Sequence, residues 1–248
     1  MKKLLILLLL STSFSTFAHS HLDFTLSEFC IEQPNVQPRG TGYYFANEEV
    51  GITATSICVY SNAYGQIASK ENYINGMRDG KYSEWYKNGQ IAMEGYIVNG
   101  EQDGKLTRWR ENGYKWVEVN YKIGDLHGKH SKWHKNGNKY SESYYINNKL
   151  DGKWTMWYEN SLVMNENYWK DGYRDGKDTT WNEYGQKIHQ KYYKRSVVDG
   201  KLTWWYENGQ IMSEVIYKDG KKDGKQTTWH ENGQIKSVVN YKDGELID

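Results

Sequence analysis

A glycine and a tryptophan recur along this chain at a fixed interval of 24 residues, and this period constrains the fold more than any other feature. The glycines are Gly80, Gly104, Gly128, Gly152, Gly176, Gly200 and Gly224. A tryptophan follows each glycine by five positions: Trp85, Trp109, Trp133, Trp157, Trp181, Trp205 and Trp229. A fixed period of roughly 20 to 50 residues indicates an array of small units that bury their surface by stacking on one another.

The residues inside one repeat predict a β-hairpin. Lys81, Ser83 and Trp85 are spaced by two, which places them on one face of an extended strand. Asn88-Gly89 follows and is predicted to form a two-residue type I′ turn, because both residues tolerate a positive φ. Such a turn sets Trp85 opposite Ala92 and Ser83 opposite Glu94.

This register predicts two columns of facing residues across the array. The tryptophans face Ala92, Trp116, Tyr140, Met164, Ile188, Met212 and Lys236. The serines and threonines of the repeats face Glu94, Glu118, Glu142, Glu166 and Glu214. Successive glutamates lie about 9–10 Å apart, too far to share a metal ion, so we expect each to bind the facing hydroxyl or a nearby lysine.

Hairpins joined end to end predict an all-β fold: an elongated open antiparallel β-meander or solenoid of 24-residue hairpins with a small N-terminal cap. The seven tryptophans are its expected structural ladder, since large rings on neighbouring hairpins shield each other from water. Aspartates at the corners are expected to serve turn formation, because the alternating acids of a calcium loop are missing. They are Asp79, Asp103, Asp151, Asp175, Asp199 and Asp223.

Composition divides the chain into three parts. Residues 1–18 have a positive start, an apolar run and the small-residue end Thr16-Phe17-Ala18, which predicts a signal peptide cleaved after Ala18 and a periplasmic or extracellular protein. All phenylalanines and prolines precede residue 46, so 19–56 is predicted to be a cap segment. Residues 57–248 are the array, with one degenerate repeat at 57–79 before the seven regular ones.

The two cysteines, Cys30 and Cys58, are predicted to form a disulfide, because paired cysteines in exported proteins usually do. Such a bridge would join the cap to the start of the array. A redox-active pair is the alternative, although the chain has no CxxC spacing.

The repeat pattern GKxTxWYENGQIxxExxYKDGxxDGK resembles the MORN-repeat variant of bacterial proteins of the YwqK type, many of which carry an antitoxin label. The resemblance covers about residues 57–248. It implies an open, twisted β-meander used for interaction, with no catalytic residues. MORN arrays elsewhere are membrane-associated or protein-scaffolding modules, so the resemblance implies a protein or membrane partner.

Aromatic residues on the second hairpin face form a candidate binding face: Tyr86, Trp154, Tyr158, Trp204 and Tyr206. Exposed rings of this kind stack on sugars, lie at lipid headgroups or anchor a protein partner. The alternative is that they pack on one another across neighbouring strands.

Charge and motif content narrow the function classes. The net charge of +1 falls to about −1 when the signal is removed with Lys2 and Lys3, which disfavours nucleic-acid binding. No Gly-x-Ser-x-Gly, Walker loop or HExxH occurs, so we expect no enzyme, no cofactor and no metal site. The expected function is an exported scaffold for a protein partner, of an antitoxin or immunity type. A cell-wall or glycan-binding module and a membrane-surface module are the alternatives.

Overall fold

The structure is a computed structural model that describes residues 28–30, 36–39, 42–45, 54–60 and 66–247. The predicted signal peptide, its cleavage site and most of the predicted cap lie outside the described residues. Within the described ranges, the regular secondary structure consists entirely of strands. No helix in this part of the chain is long and apolar enough to cross a membrane.

The strands fall into an N-terminal group and a regular array. The N-terminal strands are β1 (Glu28–Cys30), β2 (Val36–Arg39), β3 (Gly42–Phe45), β4 (Ala54–Tyr60) and β5 (Ile67–Ile74). The first half of the array comprises β6 (Met77–Arg78), β7 (Gly80–Trp85), β8 (Ile91–Val98), β9 (Glu101–Gln102), β10 (Gly104–Trp109), β11 (Lys115–Lys122), β12 (Asp125–Trp133), β13 (Lys139–Ile146), β14 (Lys149–Leu150) and β15 (Gly152–Trp157). The second half comprises β16 (Val163–Lys170), β17 (Tyr173–Arg174), β18 (Gly176–Trp181), β19 (Lys187–Lys194), β20 (Val197–Val198), β21 (Gly200–Trp205), β22 (Ile211–Lys218), β23 (Lys221–Trp229), β24 (Ile235–Lys242) and β25 (Glu245–Ile247).

The array is an open antiparallel meander, as the repeat period predicts. Each strand that ends at a repeat tryptophan pairs with its own return strand, as β7 does with β8. The return strand then pairs with the first strand of the next repeat, as β8 does with β10. Within the described ranges, β2 and β3 form a separate hairpin and every other strand belongs to this one sheet.

The hairpin tips differ from the predicted turn. The carbonyl of Tyr86 accepts a hydrogen bond from Gly89 N–H at 2.9 Å, and Tyr86 N–H donates to the Gln90 carbonyl at 2.8 Å. Gly89 has a φ of +83°, whereas Asn88 has no positive φ. These contacts define a three-residue loop with a type I turn followed by a glycine bulge, so the predicted type I′ turn at the tip is wrong.

The longer loop changes the register near the tip. Trp85 lies opposite Ile91 and not opposite Ala92. The register shifts between Glu84 and Trp85, and this bulge restores the predicted pairing of Ser83 with Glu94. The same shift precedes each of the six later repeat tryptophans, so the predicted column of residues opposite the tryptophans is wrong throughout.

Type I′ turns occur instead at the other end of each repeat. Asn99 and Gly100, which connect β8 to β9, have φ values of +49° and +84°. The equivalent pairs include Ile123-Gly124 and Arg195-Ser196, in which isoleucine, arginine and serine adopt a positive φ. Five of the eight corner pairs are Asn-Gly or Asp-Gly, the dipeptides that favour a type I′ turn, although the sequence analysis assigned that turn to the tips.

The apolar core lies on the face opposite the repeat tryptophans, at the N-terminal part of the array. Tyr82 lies between Lys81 and Ser83 in strand β7, so its side chain projects to the other face. It clusters there with Ile97, Leu106 and Val119. We call the side of the sheet with the repeat tryptophans the first face and the side with this core the second face.

Candidate functional site

A single row of alternating hydroxyls and carboxylates crosses the first face at right angles to the strands. Ser83 is opposite Glu94, which is in turn opposite Thr107 of the next repeat, and Thr107 is opposite Glu118. The pattern continues to Thr227, with Gln190 in place of one glutamate. All seven hydroxyl residues are buried: Ser83, Thr107, Ser131, Thr155, Thr179, Thr203 and Thr227.

Lysines neutralise the glutamates of this row, as the sequence predicts. Lys81, Lys129, Lys153 and Lys201 lie within 2.8 Å of Glu94, Glu142, Glu166 and Glu214, respectively. Glu118 has Lys115 at 2.8 Å. Partial burial on its own would raise the pKa of Glu118, but the hydrogen bond and positive charge of Lys115 outweigh it and lower this pKa. Each glutamate of this row is therefore paired with at least one lysine.

The repeat tryptophans are half-buried on this face, and lysines of the preceding repeat lie over several of their rings. The Nζ of Lys115 is 5.5 Å from the ring centroid of Trp133, and that of Lys187 is 5.4 Å from Trp205. Lys139 covers Trp157 in the same way at 5.7 Å. These lysines thus make cation–π contacts with the repeat tryptophans. The role of the tryptophans as the stabilising ladder stays a prediction.

The corner aspartates bind the turn of the following repeat. An Oδ atom of Asp79 accepts a hydrogen bond from Asn99 N–H at 2.9 Å, across 20 residues. The equivalent pairs are Asp103–Ile123, Asp151–Asp171, Asp175–Arg195, Asp199–Asp219 and Asp223–Asp243. Turn chemistry is confirmed for these residues. No group of three or more His, Cys, Asp or Glu side chains in the described ranges is arranged to hold a metal ion.

The cysteines face each other in the backbone register. Strand β1 pairs with β4 so that Cys30 lies directly opposite Cys58, and Cys58 is buried. The side chain of Cys30 lies outside the described residues, so the disulfide stays a prediction.

Three of the candidate aromatic residues connect neighbouring repeats at the hairpin tips. The hydroxyl of Tyr86 donates to the carbonyl of Trp109 at 2.7 Å. Tyr158 and Tyr206 make the same bond to Trp181 and Trp229 at 2.8 Å. In two other repeats Arg110 and His134 take this position and bond to the equivalent carbonyl. These tyrosines therefore have a structural role that the sequence analysis did not identify.

Trp116 and Tyr140, which the predicted register set opposite repeat tryptophans, lie instead on the second face and form an exposed surface there. The guanidinium of Arg110 is 5.5 Å from the ring centroid of Trp116, and the rings of His134 and Tyr140 are 5.0 Å apart. Trp116 and Tyr140 are each 37% exposed. An open depression beside Trp116 is lined by Tyr86, Arg110, Glu111, Asn112 and Lys135. We call Trp116, Tyr140, Arg110 and His134 the tip patch.

Trp154 and Trp204, the other two candidate residues, lie further along the second face. Trp154 packs against Trp169 with ring centroids 5.9 Å apart, and Trp204 packs against His189 at 4.7 Å. Three strands, β16, β18 and β19, separate β15 from β21, so the two candidate tryptophans are about 19 Å apart across the sheet.

Amide and hydroxyl side chains connect the surroundings of these tryptophans. The side-chain amide of Asn165 donates to Asp178 Oδ1 at 2.8 Å and to Thr180 Oγ1 at 2.9 Å. Asn167, which is 3% exposed, bonds to Asn165, and the indole N–H of Trp169 donates to Asn167. Sequence reasoning missed these residues, because their positions have no consensus: the equivalents of Thr180 include Glu84 and Lys132, and those of Asn165 include Met93.

Comparison with known families gives one match. The sequence model of the MORN repeat variant matches residues 78–99, 126–147, 198–219 and 222–243. Each of these stretches begins just after one corner turn and ends at the next, so it covers one hairpin and its tip. No curated protein matches the chain.

Proposed function

Because this chain is a MORN-repeat variant protein, we propose that it is a non-enzymatic scaffold that binds a protein partner through the tip patch. MORN repeats generally mediate protein or membrane interaction, and the glutamates of the first face are already paired with lysines. We therefore place recognition on the second face, where Trp116 and Tyr140 are exposed beside Arg110.

The observation that carries this proposal is the composition and exposure of the tip patch. Aromatic residues and arginine are enriched at the centres of protein interfaces, and tryptophan, tyrosine and arginine contribute most of the binding energy there. Trp116 and Tyr140 are held in place by Arg110 and His134, so they lose little conformational freedom on binding. The adjoining depression would receive a side chain of the partner.

Export and an inhibitory role complete the proposal. The expected signal of residues 1–18 supports action in the periplasm or outside the cell. An antitoxin or immunity-like inhibitor acts by covering a surface of its target, which requires a rigid binding face and no chemistry. The open sheet supports such a role.

Crosslinking mass spectrometry in the native envelope, with the signal-bearing chain expressed, tests this proposal. We expect crosslinks to one dominant protein from the tip patch, and their loss in the double variant Trp116→Ala/Tyr140→Ala. The matched control is Tyr144→Ala, which removes a 41% exposed tyrosine on the first face, beside Glu142. Equal crosslinking in both variants, or recovery of the chain with no partner above background, contradicts the proposal.

Membrane association is the competing function, and flotation with vesicles separates it. Binding to vesicles that contain anionic lipid, unaffected by the double variant, would replace the protein-binding proposal.

A further inference from the structure

A second transverse row crosses the second face, and its C-terminal part carries no charged side chain, whereas its N-terminal part includes Arg108 and Lys132. Pairing of facing residues places side chains from nine consecutive neighbouring strands in line, about 4.8 Å apart. They are Ser141, Met156, Asn165, Thr180, His189, Trp204, Ser213, Thr228 and Ser237. We call these nine residues the polar row.

The polar row carries hydrogen-bonding groups and no carboxylate or ammonium group. His189 is its only titratable member, and burial, with the neighbouring Lys191 as a smaller cause, lowers the pKa of this imidazole, so it is neutral at pH 7. On the first face, by contrast, every second position of the equivalent row from Ser83 to Thr227 is a glutamate or Gln190. Beside the row, the buried carboxylate of Asp178 lies 3.6 Å from the guanidinium of Arg174, so its charge is paired. A row that offers donors and acceptors and carries no charge of its own suits a ligand that is rich in hydroxyls and uncharged.

Side chains of the row are fixed by bonds among themselves. Asn165 donates to Thr180, whose hydroxyl is 3.3 Å from His189 Nε2. Thr228 and Ser237 share a hydrogen bond of 2.6 Å. Groups that are already oriented lose little entropy when a ligand binds, so this row is preorganised.

Two buried polar atoms beside the row lack a partner. Within the described part of the chain, Trp154 Nε1 and His189 Nδ1 are buried and make no hydrogen bond. Buried polar groups in proteins are almost always bonded, and each exception asks for an explanation. Trp154 Nε1 can only donate, whereas His189 Nδ1 accepts when Nε2 carries the proton. Both atoms are shielded from solvent, so a ligand hydroxyl would bond to either one only after the neighbouring rings shift.

Indole rings border the row and give it apolar platforms. Trp204 is itself a member and is 39% exposed, while Trp154 and Trp169 lie beside Asn167. An indole presents a broad, rigid apolar surface, against which the C–H face of a sugar ring packs while the sugar hydroxyls turn to polar neighbours.

We propose that the C-terminal half of the second face binds an uncharged polysaccharide, whose chain lies along the polar row and crosses the strands, with Trp204 as the main stacking residue. This site is separate from the tip patch around Trp116, and it does not depend on the protein-binding function. It would hold the scaffold on an envelope glycan while the tip patch binds a protein.

Affinity electrophoresis of the mature full chain at pH 7 tests this inference. The probes are three soluble uncharged polymers, a β-1,3-glucan, a hydroxyethyl β-1,4-glucan and a galactomannan, with polygalacturonate as the anionic comparison. We expect retardation by at least one uncharged polymer and a tenfold or greater loss of affinity in Trp204→Ala. The matched control is Trp116→Ala, because Trp116 is a second-face tryptophan of nearly equal exposure, 37%.

A second variant covers the case in which Trp204→Ala does not fold. Thr180→Val keeps the side-chain volume and removes the hydroxyl that connects Asn165 to His189, so it should weaken binding with an unchanged circular dichroism spectrum. Retardation by none of the uncharged polymers, retardation by polygalacturonate alone, or equal loss in Trp116→Ala and Trp204→Ala would overturn the proposal. If protein crosslinks to the tip patch persist in Trp204→Ala, the loss of polysaccharide binding leaves the protein-binding site intact, and the two proposals can be tested separately.

Discussion

Single residues in this molecule act through rows that cross the strands, since each strand contributes one member to each row. The hydroxyl–carboxylate row of the first face shows this most clearly, because a glutamate is bonded by lysines of its own repeat. Lys129 and Lys139 both contact Glu142, at 2.8 Å and 2.5 Å. A residue that departs from the pattern therefore alters the charge balance of a whole repeat.

Gln190 is such a departure, and restoring the carboxylate should stabilise the protein. Gln190 lies between Thr179 and Thr203, where other repeats carry a glutamate. In Gln190→Glu the new carboxylate would meet Lys177 and Lys187, at the positions that Lys129 and Lys139 occupy around Glu142. We expect a gain of up to about 1 kcal/mol in the free energy of unfolding by urea, since the pair is partly exposed.

Glu142→Gln is the matched reverse change. It leaves Lys129 and Lys139 unpaired and should lower the urea midpoint. A lower midpoint in Gln190→Glu, at low ionic strength, would contradict the pairing rule for this row.

Acid should destabilise the fold through the same residues. Partial burial would raise the pKa of Glu142, but hydrogen bonds from Lys129 and Lys139 outweigh it and lower this pKa below its value in the unfolded chain. The stabilisation is therefore present above the unfolded pKa, about 4.3, and is lost as the pH falls through the lowered folded pKa. Melting temperatures between pH 6 and pH 3 should fall steeply in the wild type and less steeply in Glu142→Gln; parallel curves would argue against this.

At the scale of the hairpin, the two turns of each repeat have different chemistry. Asn88 recurs at the tip because its Oδ1 accepts a bond from Gln90 N–H and its Nδ2 donates to the Glu111 carbonyl of the next repeat. Glycine follows because the third loop residue needs a positive φ. Asn-Gly is thus retained for a bulge and a contact between repeats, and the corner supplies the type I′ turn.

Ser161 occupies the glycine position of one tip, and replacing it should stabilise the hairpin. Its φ is +69°, a conformation that costs a residue with a Cβ roughly 1 kcal/mol or more. Ser161→Gly should raise the free energy of unfolding by about that amount. The reverse change, Gly209→Ser at the same position two repeats later, has open space around the new Cβ and should lower it similarly. No difference between the two variants in thermal melting would exclude backbone strain at this position.

At the scale of the whole molecule, stability is distributed along one dimension. Each repeat pairs with the repeat before it and the repeat after it, and the corner and tip bonds span 20 to 23 residues in the same direction. An array of this kind resists unfolding least at its ends, because an end unit has one neighbour.

The position of a tryptophan in the array should therefore determine the cost of removing it. Trp157 lies under Lys139 of the preceding repeat and its carbonyl receives a bond from His134. We expect Trp157→Ala to lower the free energy of unfolding by about 3 kcal/mol and Trp229→Ala by clearly less. Equal urea midpoints for the two variants, measured by far-UV circular dichroism, would count against a one-dimensional stack.

The sequence by itself determined the repeat unit, the antiparallel meander and the pairing of Ser83 with Glu94, because the 24-residue period and the alternation of side chains depend only on neighbours along the chain. Only the tertiary structure decided the surfaces. A three-residue loop and its compensating bulge moved Trp116 and Tyr140 to the second face, and strand pairing brought Asn165, Thr180 and Trp204 into one row. The loop is set by hydrogen bonds within one hairpin, where Asn-Gly is compatible with more than one type of turn. The row depends on strand pairing between repeats, which no pattern in a single repeat encodes.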